Sequence, residues 1–312
     1  MSDLIFSIEC QEIPPKQQEP ALKKLTHAMS SSLAEHALEG NLIEQFVTPR
    51  RMTLIYEDVP KKQKDQTFEI RGPKIDAPEQ AIAGFLKANQ IKDLSQCKQI
   101  TTQKGSWWFF ERNQKGRLCK DLLPSMIEKL LNNFIWSQSM RQESSDFYWI
   151  RPIDHIILLY DSKPIQKTIY LGNHSKKEFK LNHIANGHRV LGQSFKIHNR
   201  SQYISDLKQN YVIAHTSDRL QIIQNRLHDI AESNHVQLIE DKALLEEVAG
   251  LVEWPIVMSA KIDRHFTNLP APILHMTLRE NQKYFMFQDL NGQLSPIFAL
   301  VANQEELDPK NP

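Results

Sequence analysis

At 312 residues, with 40% hydrophobic and 24% charged side chains, the chain has the make-up of an ordinary globular protein with room for two domains, not of a disordered one. Thirty-eight Lys and Arg against 37 Asp and Glu leave a net charge of +1, so no whole-chain basic bias announces nucleic acid. Three cysteines, Cys10, Cys97 and Cys119, stand far apart with no CxxC pair and no zinc spacing. They point to free thiols in a reducing compartment. The start, MSDLIFSIECQEIPP, has no basic n-region, and no window approaches 18 uninterrupted apolar residues. The expectation is a cytoplasmic protein without a signal peptide or membrane span.

In chain order, Leu4–Glu9 alternates apolar and polar residues as a strand does, and Pro14–Pro15 ends it. Leu22, Leu25, Met29 and Leu33 recur at helical spacing, with Gly40 expected to stop that helix. Phe46–Val59 returns as one or two strands, and Lys61–Lys64 reads as a polar turn. A short helix around Pro78–Ala88 precedes two strands, Lys98–Thr102 and Trp107–Arg112, joined by a hairpin at Lys104–Ser106. Leu122, Leu123, Met126, Ile127, Leu130, Leu131 and Phe134 mark the clearest amphipathic helix. Polar Gln138–Asp146 is the expected domain boundary.

Beyond it, strands are expected at Ile156–Tyr160 and Gln166–Leu171, then a helix over Asp218–Ala231 capped by Ser217. Ala243–Leu251 and Ile273–Glu280 read as helices, and Ile256–Ala260 as a strand. Tyr284–Phe287 and Ile297–Ala302 form a strand pair around Asn291–Gly292. The sum is an α+β fold of mixed, mostly antiparallel sheets with amphipathic helices, in two modules spanning 1–142 and 143–312.

Several catalytic signatures are missing. No two of the ten glycines are closer than five residues, which removes the dinucleotide fingerprint. Gly187 and Gly192 have P-loop spacing, but Gln193–Ser194 follows where Lys–Ser/Thr is required. There is no G-x-S-x-G elbow and no H-E-x-x-H pair. No catalytic residue and no metal ligand set is assigned, and ATP use within this chain is not expected.

The charge is unevenly spread. Residues 176–200 hold Lys176, Lys177, Lys180, Arg189, Lys196 and Arg200 against Glu178, a net of +5, whereas 237–253 carries a net of −4. A phosphate-facing strip beside an acidic face, or two solvated surfaces, would look the same. Arg50 and Arg51 could fork a phosphate or carboxylate, or form a salt-bridged pair at a domain edge. Arg71–Gly72–Pro73–Lys74 is a basic turn. Gly187–His188–Arg189 lies in the basic strip, and Arg279 with Lys283 would suit an RNA backbone or an ion pair.

Asp154–His155 invites an acid–base reading, but neighbours on a strand point to opposite faces. Glu246, Glu247 and Glu253 read as a solvated acidic face. Trp107, Trp108, Phe109 and Phe110 would either stack bases or alternate across a buried strand.

One further signal comes from short stretches in a fixed order: Glu9–Pro15, Thr48–Pro49–Arg50–Arg51, Arg71–Lys74, Lys104–Trp107, Ser139–Arg141, Arg151–Ile153, Gly187–Arg189, Leu244–Pro255 (LLEEVAGLVEWP) and Gln282–Phe285. In order and wording they resemble the N-terminal part of the β subunit of bacterial two-subunit glycyl-tRNA synthetases, over Leu4 to Pro312. The family's Trp–Gly after S-M-R is Gln142–Glu143 here, and its R-P-x-H histidine is Asp154.

The resemblance implies an α2β2 assembly in which the α subunit activates glycine with ATP and Mg, while the β subunit contributes tRNA binding. Family β subunits run on into an HD-type and an anticodon-binding domain, so an N-terminal portion, inactive alone and without a cofactor, is expected. The implied partners are the α subunit and glycine tRNA, not a membrane or DNA. The tRNA-binding candidates are Arg50, Arg51, Arg71, Lys74, Lys176, Lys177, Arg189, Arg279 and Lys283. Two other readings stay open: a scaffold that contacts only the α subunit, and an editing-type hydrolase.

Overall fold

The computed structural model describes residues 2–102, 105–263, 265–266 and 269–304; Lys104 of the expected hairpin and residues 305–312 lie outside them. The first strand, β1 (Ser2–Cys10), is the axis of the molecule. It pairs antiparallel on one side with β3 (Arg51–Val59), which in turn pairs with β2 (Asn41–Thr48). The helix α1 (Pro15–Glu35) lies between β1 and β2 in sequence and opens with Pro15 in its first turn, where a missing N–H costs nothing.

The three-stranded unit that follows consists of β4 (Gln66–Lys74), β5 (Cys97–Thr102) and β6 (Gly105–Gln114) in the order β4-β6-β5, with α2 (Glu79–Asn89) against β4. The chain re-enters the body through α3 (Cys119–Asn132) and the two-residue pair β7 (Met140–Arg141) and β8 (Tyr148–Trp149). β9 (Ile153–Tyr160) then pairs antiparallel with the free side of β1, and β10 (Lys163–Pro164) folds back on it. β11 (Thr168–Leu171) and β12 (Lys177–Asn182) complete the sheet, giving β11-β12-β9-β1-β3-β2. Its one parallel contact joins β12 to β9 at Leu181–Ile156 and Asn182–Ile157.

Alternation along β1 is double-sided. Leu4, Phe6, Ile8 and Cys10 enter one core with α1 and α3. Ile5 enters a second core with Ile157, Leu159, Tyr203 and Leu207, and the polar Ser7 and Glu9 on that face are buried too. That face is covered by the hairpin of β13 (Ile184–Asn186) and β14 (Ser194–Lys196) and by α4 (Arg200–Gln209). A third core forms where α5 (Thr216–Ser233) and α6 (Lys242–Ala249) pack on the sheet β15-β17-β18-β16, made of β15 (Gln237–Leu238), β16 (Ile256–Lys261), β17 (Phe285–Gln288) and β18 (Leu294–Ala302). The α7 helix (Ala271–Met276) runs into a wider turn at Thr277–Asn281.

The architecture is α+β with mostly antiparallel sheets, as expected. The sheet, however, draws strands from both sides of residue 142, so a division at 142/143 does not follow its hydrogen bonding. Gly40 does not end α1. The left-handed residue there is Ala37 (φ 51°), and Gly40 is needed because a Cβ would stand 2.5 Å from Val59. The α5 helix starts at Thr216, which places His215, not Ser217, at its N-cap.

Between β3 and α3 the chain leaves and re-enters the body as a neck. Gln63 N donates to Arg117 O and Cys119 N to Lys61 O. A Cβ on Gly116 would sit 1.9 Å from the Gln63 carbonyl oxygen. Gly116→Ala is therefore expected to cost about 1–3 kcal/mol and to open the neck, seen as a lower melting temperature and faster proteolysis near residues 60–66; an unchanged digestion pattern would show that the neck tolerates the methyl group.

Candidate nucleic-acid interface

The two adjacent arginines have different fates. Arg50 is partly exposed and donates to Asp154 at 3.3 Å. Arg51 is 1% exposed, so it offers nothing to an external phosphate. Its Nη1 donates to Glu9 at 3.1 Å, its Nε to Glu253 at 3.4 Å and its Nη2 to the Asn186 carbonyl at 2.7 Å. Thr48 Oγ1 donates to the same Glu253 oxygen at 2.6 Å, while Asn186 donates from backbone and side chain to Glu9. Burial pushes the Glu9 carboxyl up, with Arg51 and the Asn186 N–H pulling the other way. Arg51 itself is held above the usual guanidinium range by Glu253 and Glu9, although its burial acts against that.

Arg219, with no exposed surface, lies beside this cluster. It donates to the carbonyls of Ala249, Ile213, Ala214 and Val47 and to Thr216 Oγ1. Burial lowers its pKa to about 10, with Glu253 acting to hold the charge. Two buried cations thus balance two buried carboxylates. Five stretches of sequence meet here, and four of them (Glu9, Thr48–Arg51, the residue before Gly187, and Glu253 of LVEWP) carry or adjoin the family resemblance. They meet in a closed cluster, not in a ligand cleft. Reading Glu253 as part of a solvated face is corrected: it is 1% exposed. Arg219 was missed, although its position four residues before buried Ile223 places it on the apolar face of α5.

The remaining candidates lie at the surface with different partners. Arg279 is held by Asp241 at 2.6 Å and by Glu280, and Lys283 by Glu247 at 3.0 Å, so the acidic run and this basic pair neutralise each other. The Arg279 hydrogen bond holds Asp241 below the usual carboxylate range. Lys177 pairs with Glu143, and Arg189 with Glu12 at 3.1 Å. Exposed Lys176 has no ion pair among the described residues. Arg71 lies over the Trp107 ring, 3.6 Å from its centroid, with Lys74 5.5 Å from the same ring. Asp154 accepts from Gln11 and Arg50, whereas His155 faces Asn182, so the two neighbours do not cooperate. His188 is buried, and its Nδ1 accepts from the Val190 and Leu191 amides, a turn-forming role.

A basic surface not foreseen in the sequence forms at the neck. Its closure brings Lys61, Lys62 and Lys64 together with Lys115, Arg117 and Lys120, all exposed. Lys61 and Lys120 also line a groove of about 420 Å³ with Lys163. Asp161 pairs with Lys61 and Asp65 with Lys62. Among the described residues Lys64, Lys115, Arg117, Lys120 and Lys163 make no ion pair. Such unpaired cations on short side-by-side segments can neutralise successive phosphates.

The buried cluster yields a stability prediction. Arg51→Met leaves Glu9 and Glu253 facing each other without their cation and should cost about 3–5 kcal/mol in denaturant unfolding. A loss below about 1 kcal/mol would show that the cluster is not a structural requirement.

Comparison with known proteins agrees with the resemblance. The family model described as glycyl-tRNA synthetase beta subunit matches residues 4–311. The glycine–tRNA ligase β subunit of Rhodospirillum centenum is 31% identical over 326 residues, which take in 99% of this chain and 46% of that protein. Those of Rickettsia akari and Rickettsia conorii are 32% and 33% identical, over 97% of this chain and 45% and 44% of theirs. The chain spans less than half the length of these relatives. By these matches, the chain belongs to the glycyl-tRNA synthetase β-subunit family.

Proposed function

We propose that the chain is the non-catalytic N-terminal part of a glycine–tRNA ligase β subunit, which holds glycine tRNA and docks on a catalytic α subunit in the cytoplasm. On this reading, glycine, ATP and Mg are handled by the α subunit. The observation that carries it is the basic neck, a row of unpaired cations on a chain of this family. The phosphate-binding role passes from buried Arg51, and from the neutralised Arg279 and Lys283, to this neck together with Lys176 and Arg71. Docking on a partner protein is supported by α7, whose Ile273 and Met276, three residues apart, are 46% and 57% exposed.

The proposal is tested by binding of glycine tRNA to the chain as salt is raised. Lysine and arginine at phosphates release counterions, so a surface that neutralises about six of them should bind roughly 1,000-fold more weakly at 200 mM than at 50 mM salt. Charge reversal at Lys64, Lys115 and Arg117 should weaken binding about 10-fold or more and flatten the salt slope, with Lys176→Glu and Arg189→Glu adding a smaller effect. Affinity that is absent, or indifferent to salt, would leave the α-subunit scaffold as the better reading.

A further inference from the structure

We infer that the three-stranded sheet β4-β6-β5 is a stacking platform for unpaired nucleotides of the bound RNA, centred on Trp107 and Phe109. The inference rests on the RNA-binding reading above and deepens it. Of the unit's described residues from 66 to 114 only Ile91 is buried; Trp107, Trp108, Phe109 and Phe110 each keep part of their surface exposed, while the indole nitrogens of both tryptophans are covered. The strand is thus packed on both faces but fully buried on neither.

Trp107 and Phe109, two apart on the central strand, share one face. Register places cations on both sides of them. Phe109 stands between Arg71 on β4 and Lys98 on β5, the latter paired with Glu111, while Trp107 has Lys74 across from it. The exposed Arg71 guanidinium is already laid over the indole, 3.6 Å from the ring centroid, and has no carboxylate partner among the described residues. Residues 66–114 carry seven Lys and Arg against five Asp and Glu.

That chemistry selects the occupant. Lysine is depleted at protein–protein interfaces, whereas here Lys74 stands beside Arg71 at the Trp107 ring. An unpaired nucleotide supplies a π face for Trp107 or Phe109 and a phosphate for Arg71 or Lys74. Helix α2 approaches β4 at Gly72, where Phe85 ring atoms lie 2.8 Å from the position of a Cβ, and glycine is what admits it.

The test compares the 312-residue chain with Trp107→Ala and Arg71→Ala for binding to a labelled single-stranded oligouridylate, a blunt RNA duplex and glycine tRNA. Each variant should weaken oligouridylate binding about 10-fold or more and leave the duplex unaffected. Because Trp107→Ala removes packing as well, Phe109→Ala and the exposed Arg71→Ala carry the test if that variant does not fold. Unchanged oligouridylate binding, with glycine tRNA still bound, would overturn the platform and leave the proposed function standing. A wild-type chain that binds none of the three RNAs would overturn both. Loss of α-subunit association with RNA binding intact would assign the face to a protein partner and overturn the inference.

Discussion

One guanidinium holds three layers of this molecule together. Arg51 begins β3 at the edge of the turn Pro49–Arg50, yet its side chain passes through the interior to reach Glu9 on β1, the Asn186 backbone on the overlying hairpin, and Glu253 between α6 and β16. Arg219 does the same from α5, gathering carbonyls of β2, α6 and the 213–214 link. A buried ion pair is weak evidence for net stability, because desolvation of both partners opposes the attraction. What it supplies here is uniqueness of docking: any shift of the C-terminal sheet or the hairpin strands a charge in a dry interior. Family-like wording at Thr48–Arg51 and around Glu253 thus has a structural cause, and the proposed RNA-facing surface is built elsewhere.

Much of the fold was legible from periodicity. The β1 pattern, the α1 and α3 stripes and the β17–β18 pair all stand where the alternation of side chains placed them. What periodicity could not convey is how many faces a strand buries. Ser7 and Glu9 look like the solvated side of β1, but α4 and the hairpin cover them, and neither segment had a strong pattern of its own. Gly40 illustrates a second limit, since its close approach to Val59 involves a strand nearly twenty residues away.

The candidate site was less legible, for a physical reason. Charge runs visible in sequence are neutralised by partners brought in from elsewhere in the fold: the 237–253 acidic run meets Arg279 and Lys283, and Lys177 and Arg189 find Glu143 and Glu12. The neck escapes most of this cancellation, Lys61 and Lys62 alone of its named cations being paired among the described residues. Its two halves lie about fifty residues apart, each too short to stand out, and only backbone pairing across Lys62 and Leu118 sums them. Arg71 fared differently, because its proximity to Trp107 depends on the β4–β6 register and not on any local run.

A closed charge cluster that fixes the architecture is therefore separate from the open cations and rings proposed to meet RNA. Hydrogen–deuterium exchange of the chain with and without saturating glycine tRNA tests that separation most directly. The predicted result is new protection at residues 61–64, 115–120 and along β4 and β6, with the amides around Glu9, Arg51, Asn186 and Glu253 equally slow in both states. Protection that falls instead on the stretches around that buried cluster, or nowhere on the chain, would contradict it.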